Sequence, residues 1–194
     1  MHRAAPCRNV PVTFTLDLMS DVDRAFQALG EFVIAFQWVE NKYREIGWFI
    51  LDPERKRWPP RALRTESNAR LIDGVTKLYT QRTRTYQFPN GAEKAKDFLS
   101  LRDQFHTLRQ HRNSFFHSTF TEIKTAGEVA GYLRSDVRPP HKSNAGGAHC
   151  AHEWLSADAI YKVIGEYAEP SFRLGQHFVQ LVHWYPFERY ANEV

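Results

Sequence analysis

Between Arg102 and His117, the side chains able to grip an anion or carry a proton recur at helical spacing: Arg102, His106, Arg109, Asn113 and His117 follow one another by four, three, four and four positions. Residues so spaced share one side of a helix. Two arginines, two histidines and an asparagine, with no carboxylate among them, describe a face turned toward an anion rather than a solvated surface of mixed sign. Beside it runs a second stripe, Leu101, Phe105, Leu108, Arg112 and Phe115, in which Arg112 occupies an apolar position. A cation there needs a carboxylate partner such as Glu40 or Asp73, a solvent-open bundle end, or a cleft meant for an anion, because burying it unpaired is costly. Arg112 and His117 lie five positions apart, about 140° and about 7.5 Å on a regular helix, so they flank a cleft. Asn113, four before His117, is placed to orient the imidazole while Arg112 holds a phosphate oxygen. The chemistry that suits this set is phosphodiester cleavage: Arg112 for phosphate and transition-state charge, His117 for proton transfer, and Asn113 for orienting His117 or the scissile phosphate. Arg109, His106 and Arg102 would bind the flanking substrate backbone.

The elements that must position these residues are helical. Ser20 offers an N-cap before Asp21 and Asp23, and Phe26, Leu29, Val33, Phe36 and Val39 then recur at steps of three or four, continued by Tyr43, Ile46 and Ile50 until Asp52-Pro53. This predicts one long first helix. ERKRWPPRALR, residues 54–64, reads as a solvated basic connection, with contact to a phosphate backbone as its functional alternative. A second helix runs from about Glu66 to Thr83 with Leu71, Ile72, Val75, Leu78 and Tyr79 inward. Asn90 caps a third, which carries Phe98, Leu101, Phe105, Leu108 and Phe115 and ends near His117 or Ser118. Phe120–Lys124 and Val129–Arg134, on either side of Gly127, read as a short hairpin. Pro139-Pro140 and Asn144–Gly147 mark a loop, and Ser156 caps a last helical region, Ala157 to about Trp184, that Pro170 should kink or divide. The expectation is a mainly α fold: an antiparallel helical bundle of four to five helices. Residues 1–19 form an N-terminal arm, residues 20–194 a single domain, and residues 119–155 a small hairpin and loop insertion.

Arg112-Asn113-Ser114-Phe115-Phe116-His117 resembles the Arg-polar-x-x-x-His signature (Rx4-6H) of HEPN domain ribonucleases, the higher eukaryotes and prokaryotes nucleotide-binding family. The polar residue after the arginine, the spacing and the place late in a long bundle helix all match. The helical order extends the likeness over roughly residues 20–190. What the resemblance implies is a metal-independent endoribonuclease, without cofactor, whose cleft forms where two protomers of a homodimer meet on one RNA strand. It also implies a setting as toxin, defence effector or RNA-processing factor, with a protein antitoxin or regulator as partner. Thr119 stands where toxin members of the family often carry a tyrosine, so silencing by modification at that position is not implied. The elementary chemistry agrees: transferring a 2′-hydroxyl onto the adjacent phosphate needs a base, an acid and a cation. A two-fold interface brings two copies of His117 near one axis.

Composition narrows the rivals. Lys plus Arg outnumber Asp plus Glu by 26 to 22, for a net charge of +4, which permits an RNA partner without requiring one. Cys7 and Cys150 make no disulfide framework, and no run of apolar residues is long enough for a membrane span, so a cytoplasmic protein without membrane contact is expected. His149, Cys150, His152 and Glu153, with His141 upstream, fit no zinc spacing and read as a polar surface loop with no metal. Phe178, Leu181, Val182, Trp184 and Tyr185 read as core or dimer contacts. The alternative function is a non-catalytic helical module that holds a nucleotide, a nucleic acid or a protein in the same basic groove.

Overall fold

Ser20 starts the first helix as its chemistry dictates: its Oγ accepts the Asp23 backbone N–H at 3.1 Å, and Asp21 and Asp23 follow in the first turn. In the computed structural model, which describes the backbone of residues 20–138 and 149–192 and the side chains of 20–135 and 153–186, this helix is α1, Asp21–Leu51. It stops at Asp52, before the proline. The arm over residues 1–19 and the loop around Asn144 lie outside the described residues.

The chain continues through a short α2, Arg61–Thr65, seated after Pro59-Pro60 at the end of the basic connection, into α3, Asn68–Tyr86. Gln87 and Asn90 both adopt the left-handed conformation in the turn to α4, Gly91–Phe116. Beyond it lie β1 (Thr119–Thr125), β2 (Glu128–Arg138) and β3 (His149–Trp154), and then α5, Ala157–Asn192. The three strands form one antiparallel sheet in the order β1-β2-β3. Ala126 and Gly127, both at positive φ, make the tight turn of its first hairpin.

Three expectations are corrected. The inward stripe of α1 is Ala25, Ala28, Phe32, Phe36, Val39, Tyr43 and Ile46, whereas Phe26 and Val33 are 48% and 37% exposed. Apolar residues occupy more than one side of α1, and the side that packs is fixed by the facing helices. Second, the His149–Glu153 stretch lies within strand β3 rather than in a loop, its polar sequence paired with β2 from Leu133↔Trp154 to Arg138↔His149. Third, α5 runs unbroken past Pro170. Proline costs a helix interior about 3 kcal/mol. Here the buried stripe Ile160, Tyr167, Leu174, His177, Leu181 and Trp184 packs on both sides of it and outweighs that cost.

Ring contacts give the helix directions. Phe32 meets Phe115 and Tyr43 meets Phe105, so α1 and α4 run antiparallel across the core. Asp73 meets His106 and Tyr79 stacks on Phe98, so α3 is antiparallel to α4. Tyr167 reaches Leu108 while Arg173 and His177 reach Asp97, so α5 is antiparallel to α4 as well. The crossover through α2 therefore returns the chain to the direction of α1. Gly47 lets it pass: a Cβ there would meet Leu63 of α2 at 2.8 Å and Val75 of α3 at 2.9 Å. No helix among the described residues is long and apolar enough to cross a membrane.

Candidate functional site

The core stripe of α4 is Phe98, Leu101, Phe105, Leu108 and Phe115, all buried, as the spacing predicts. Arg112 interrupts it between Leu108 and Phe115. It reaches no carboxylate among the described residues, neither Glu40 nor Asp73. Its guanidinium carbon lies 5.3 Å from the centre of the Phe36 ring and 4.8 Å from that of Phe116, and Nη1 donates to Asn113 Oδ1 at 3.1 Å. Two ring faces and one amide hold the cation while leaving its charge unneutralised. Tyr167 packs below, its ring edge-on to Phe32 and Phe36 and its hydroxyl donating to Leu108 O at 2.8 Å. Burial pushes the Tyr167 hydroxyl well above the usual phenol range, against the pull of Arg112, so it stays a neutral donor.

His117 is the C-cap of α4, exposed to solvent, with its backbone N–H donating to Asn113 O at 2.9 Å. Asn113 Oδ1 accepts from Arg112, and no side-chain hydrogen bond joins Asn113 to His117, which corrects the expected contact with the imidazole. At φ −102° and ψ 5°, His117 has left helical geometry. The i, i+4 backbone bond to Asn113 is kept, but the Asn113 amide oxygen turns to the adjacent guanidinium of Arg112.

The polar stripe is divided. Arg102 donates to Asp103 Oδ1 at 2.9 and 2.8 Å, and His106 Nε2 pairs with Asp73 Oδ1 of α3 at 2.9 Å. Asp103 adjoins the stripe and Asp73 comes from another helix, so the expected cationic face does not run its full length. The part clear of carboxylates is Arg109 to His117. One turn below Arg112, Glu40 of α1 comes level with Arg109. Glu40 is buried, with Oε2 3.5 Å from Arg44 and Oε1 unpartnered, and Arg109 Nε is buried without a partner. The two make no ion pair with each other within 4.0 Å.

One residue beside the motif carried no signal in the sequence. Arg134 of β2 lies 4.4 Å over the Phe115 ring, reaches Ser114 Oγ at 3.4 Å and pairs with Glu153 of β3 at 2.5 Å. At about 100° per residue, Phe115 lies on the same side of α4 as Arg112 while Ser114 points to another side. Arg134 therefore ties the end of α4 to the sheet. Among the described residues, no cluster of His, Cys, Asp and Glu could hold a metal. The side chains of the His149–His152 stretch and His141 lie outside the described residues.

A second polar group lies in the core. Tyr79 OH donates to His177 Nδ1 at 2.9 Å, which leaves Nε2–H to donate to Asp97 Oδ2 at 2.8 Å, and Arg173 closes the set on Asp97 and Glu169. Burial pushes the His177 pKa below the usual imidazole value, although the hydrogen bond to Asp97 opposes it. Burial would raise the Asp97 carboxyl, but Arg173 and His177 outweigh it and hold the group below the usual carboxylate range. With His177 only 2% exposed, this network ties α3, α4 and α5 together and offers no access to a substrate. Comparison with protein-family models, curated proteins and solved structures returns no match for the chain.

Proposed function

We propose that the chain is a HEPN-like endoribonuclease that cuts RNA without metal, by transfer of a 2′-hydroxyl onto the adjacent phosphate at a cleft shared by two protomers. The observation that carries this reading is Arg112, a cation at the end of the core held by two aromatic rings and an amide. No carboxylate among the described residues neutralises it, and Asn113 and a solvent-facing His117 complete the motif. In the reaction the 2′-oxygen bonds to phosphorus as one imidazole takes its proton. The 5′-oxygen leaves with a proton from the second imidazole, and Arg112 balances the charge of the phosphorane. The products are a 2′,3′-cyclic phosphate and a 5′-hydroxyl. Arg109 is the flanking contact best placed for the RNA backbone; Arg102 and His106 must exchange Asp103 and Asp73 for phosphate to join it. A toxin, defence effector or RNA-processing factor, restrained by a protein partner, is the setting that suits such an enzyme.

Those two neutralised side chains favour a second reading, a non-catalytic module that holds a short nucleic acid, a nucleotide or a protein on the remaining cations. Incubating labelled single-stranded and structured RNA with the full chain in EDTA, beside His117→Ala, separates the two. Fragments ending in cyclic phosphate, lost in His117→Ala with its circular dichroism unchanged, are expected. Retained RNA binding without any cleavage would overturn the enzyme in favour of the module.

A further inference from the structure

Trp38 lies two positions past Phe36, so it points to the side of α1 opposite Arg112. There α1, α5 and the start of α4 leave a groove of about 620 Å³. Its apolar lining residues are uncovered: Phe172 is 67% exposed, Val179 54% and Trp38 46%; outside the lining, Ile34 one turn up α1 is 70% exposed. Phe172 and Val179 are seven positions apart on α5, hence on one face. Between them Gly175 has no Cβ, and nothing lies within 4 Å of where one would be, so the floor is open to an incoming side chain. Contiguous apolar surface of this kind costs solubility unless something binds it.

We propose that this groove docks an amphipathic helix from an acidic protein partner, with apolar side chains seated among Trp38, Phe172 and Val179 and carboxylates against Lys42, Lys94 and His183. Charge selects the occupant. Among the lining residues, Lys42, Lys94 and His183 stand with no Asp or Glu. Lys94 makes no ion pair among the described residues. Lys42 lies over the Trp38 and Phe178 rings at 5.4 and 5.0 Å, and its carboxylate partner, Glu45 at 2.6 Å, is outside the lining. A second copy of this chain would bring the same lysines onto a shared two-fold axis, where they repel. A lipid surface prefers a protruding apolar face, whereas a concave groove between helices suits the anchors of one more helix spaced three, four and seven apart. The inference is independent of RNA cleavage.

The test is fluorescence anisotropy of a labelled helical peptide with leucine on one face and glutamate on the other, titrated with the full chain. A charge-reversed lysine peptide is run in parallel. Saturable binding of the acidic peptide alone is expected, weakened about tenfold or more by Phe172→Asp or by Lys94→Glu and unchanged by His117→Ala. Phe172 is largely exposed, so its substitution leaves the core intact, with circular dichroism as the check. Equal binding of both peptides, or no effect of Phe172→Asp, overturns the proposal. So does a dimer in sedimentation that Phe172→Asp dissociates, which assigns the groove to a second copy. Phe172-dependent binding to phosphatidylglycerol vesicles without peptide binding also overturns it.

Discussion

Arg112 sits where a buried ion pair would be the ordinary solution, and it has two phenyl rings instead. The difference is measurable. Truncating a cation that satisfies a buried carboxylate costs about 3–5 kcal/mol, because the partner is left charged and dry. Losing an alkyl stem and contacts to two rings costs about 1–2 kcal/mol. Arg112→Ala is therefore expected to lower stability by the smaller amount in urea unfolding while cleavage is lost; a cost in the larger range would mark Arg112 as a structural partner. His177 has the opposite character, a titratable group used for architecture. Its folded pKa is depressed, so below about 6.5 the unfolded chain binds a proton that the native state refuses, and stability falls with pH. Asp97, also depressed, contributes stability above its ordinary value of 3.8 that is lost on further acidification. The urea midpoint of the wild type should drop between pH 7.5 and 5, and His177→Gln should flatten that drop while the loss below about pH 4 persists.

At the level of the elements, α1 and α2 meet through a missing side chain. Gly47→Ala improves helix propensity by about 1 kcal/mol, yet its methyl would meet Leu63 and Val75 inside normal contact distance. A net destabilisation of about 1–3 kcal/mol is expected from the overpacking, and an increase in the melting midpoint would show that α2 simply moves aside. Such contacts mark the limit of what could be read in advance. The start of α1 at Ser20, its stop before Pro53 and the buried stripe of α4 were legible because caps, prolines and spacing act locally. The packed side of α1 was not, since Phe26 and Val33 continue an apolar pattern that only the facing helices can choose against. Strand β3 was hidden by its polar composition, and the continuity of α5 by a proline whose cost is offset by packing on both sides. At the candidate site, the motif and the place of Arg112 at an apolar position were visible. The partners Asp73 and Arg134 were not, because each arrives from a distant part of the chain.

For the whole molecule, the proposed chemistry requires two imidazoles at one phosphate, and each chain contributes one motif histidine. Activity should therefore fall more steeply than in proportion to enzyme on dilution, and excess His117→Ala subunits should suppress the wild type by forming mixed pairs. Strictly proportional dilution with no suppression would mean that one chain does the work alone. The pairing of α1 with α5 has a further consequence, for the protein while it is being made. These helices, first and last among the described residues, meet along their length, and the pair Arg24–Asp158 spans 134 positions. At about 5–20 residues per second of synthesis, the apolar stripe of α1 leaves the ribosome on the order of ten seconds before the helix that covers it. During that interval the side of Phe32 and Phe36 that packs on Tyr167 is uncovered, and the nascent chain presents chaperones with a long amphipathic helix in search of its last partner.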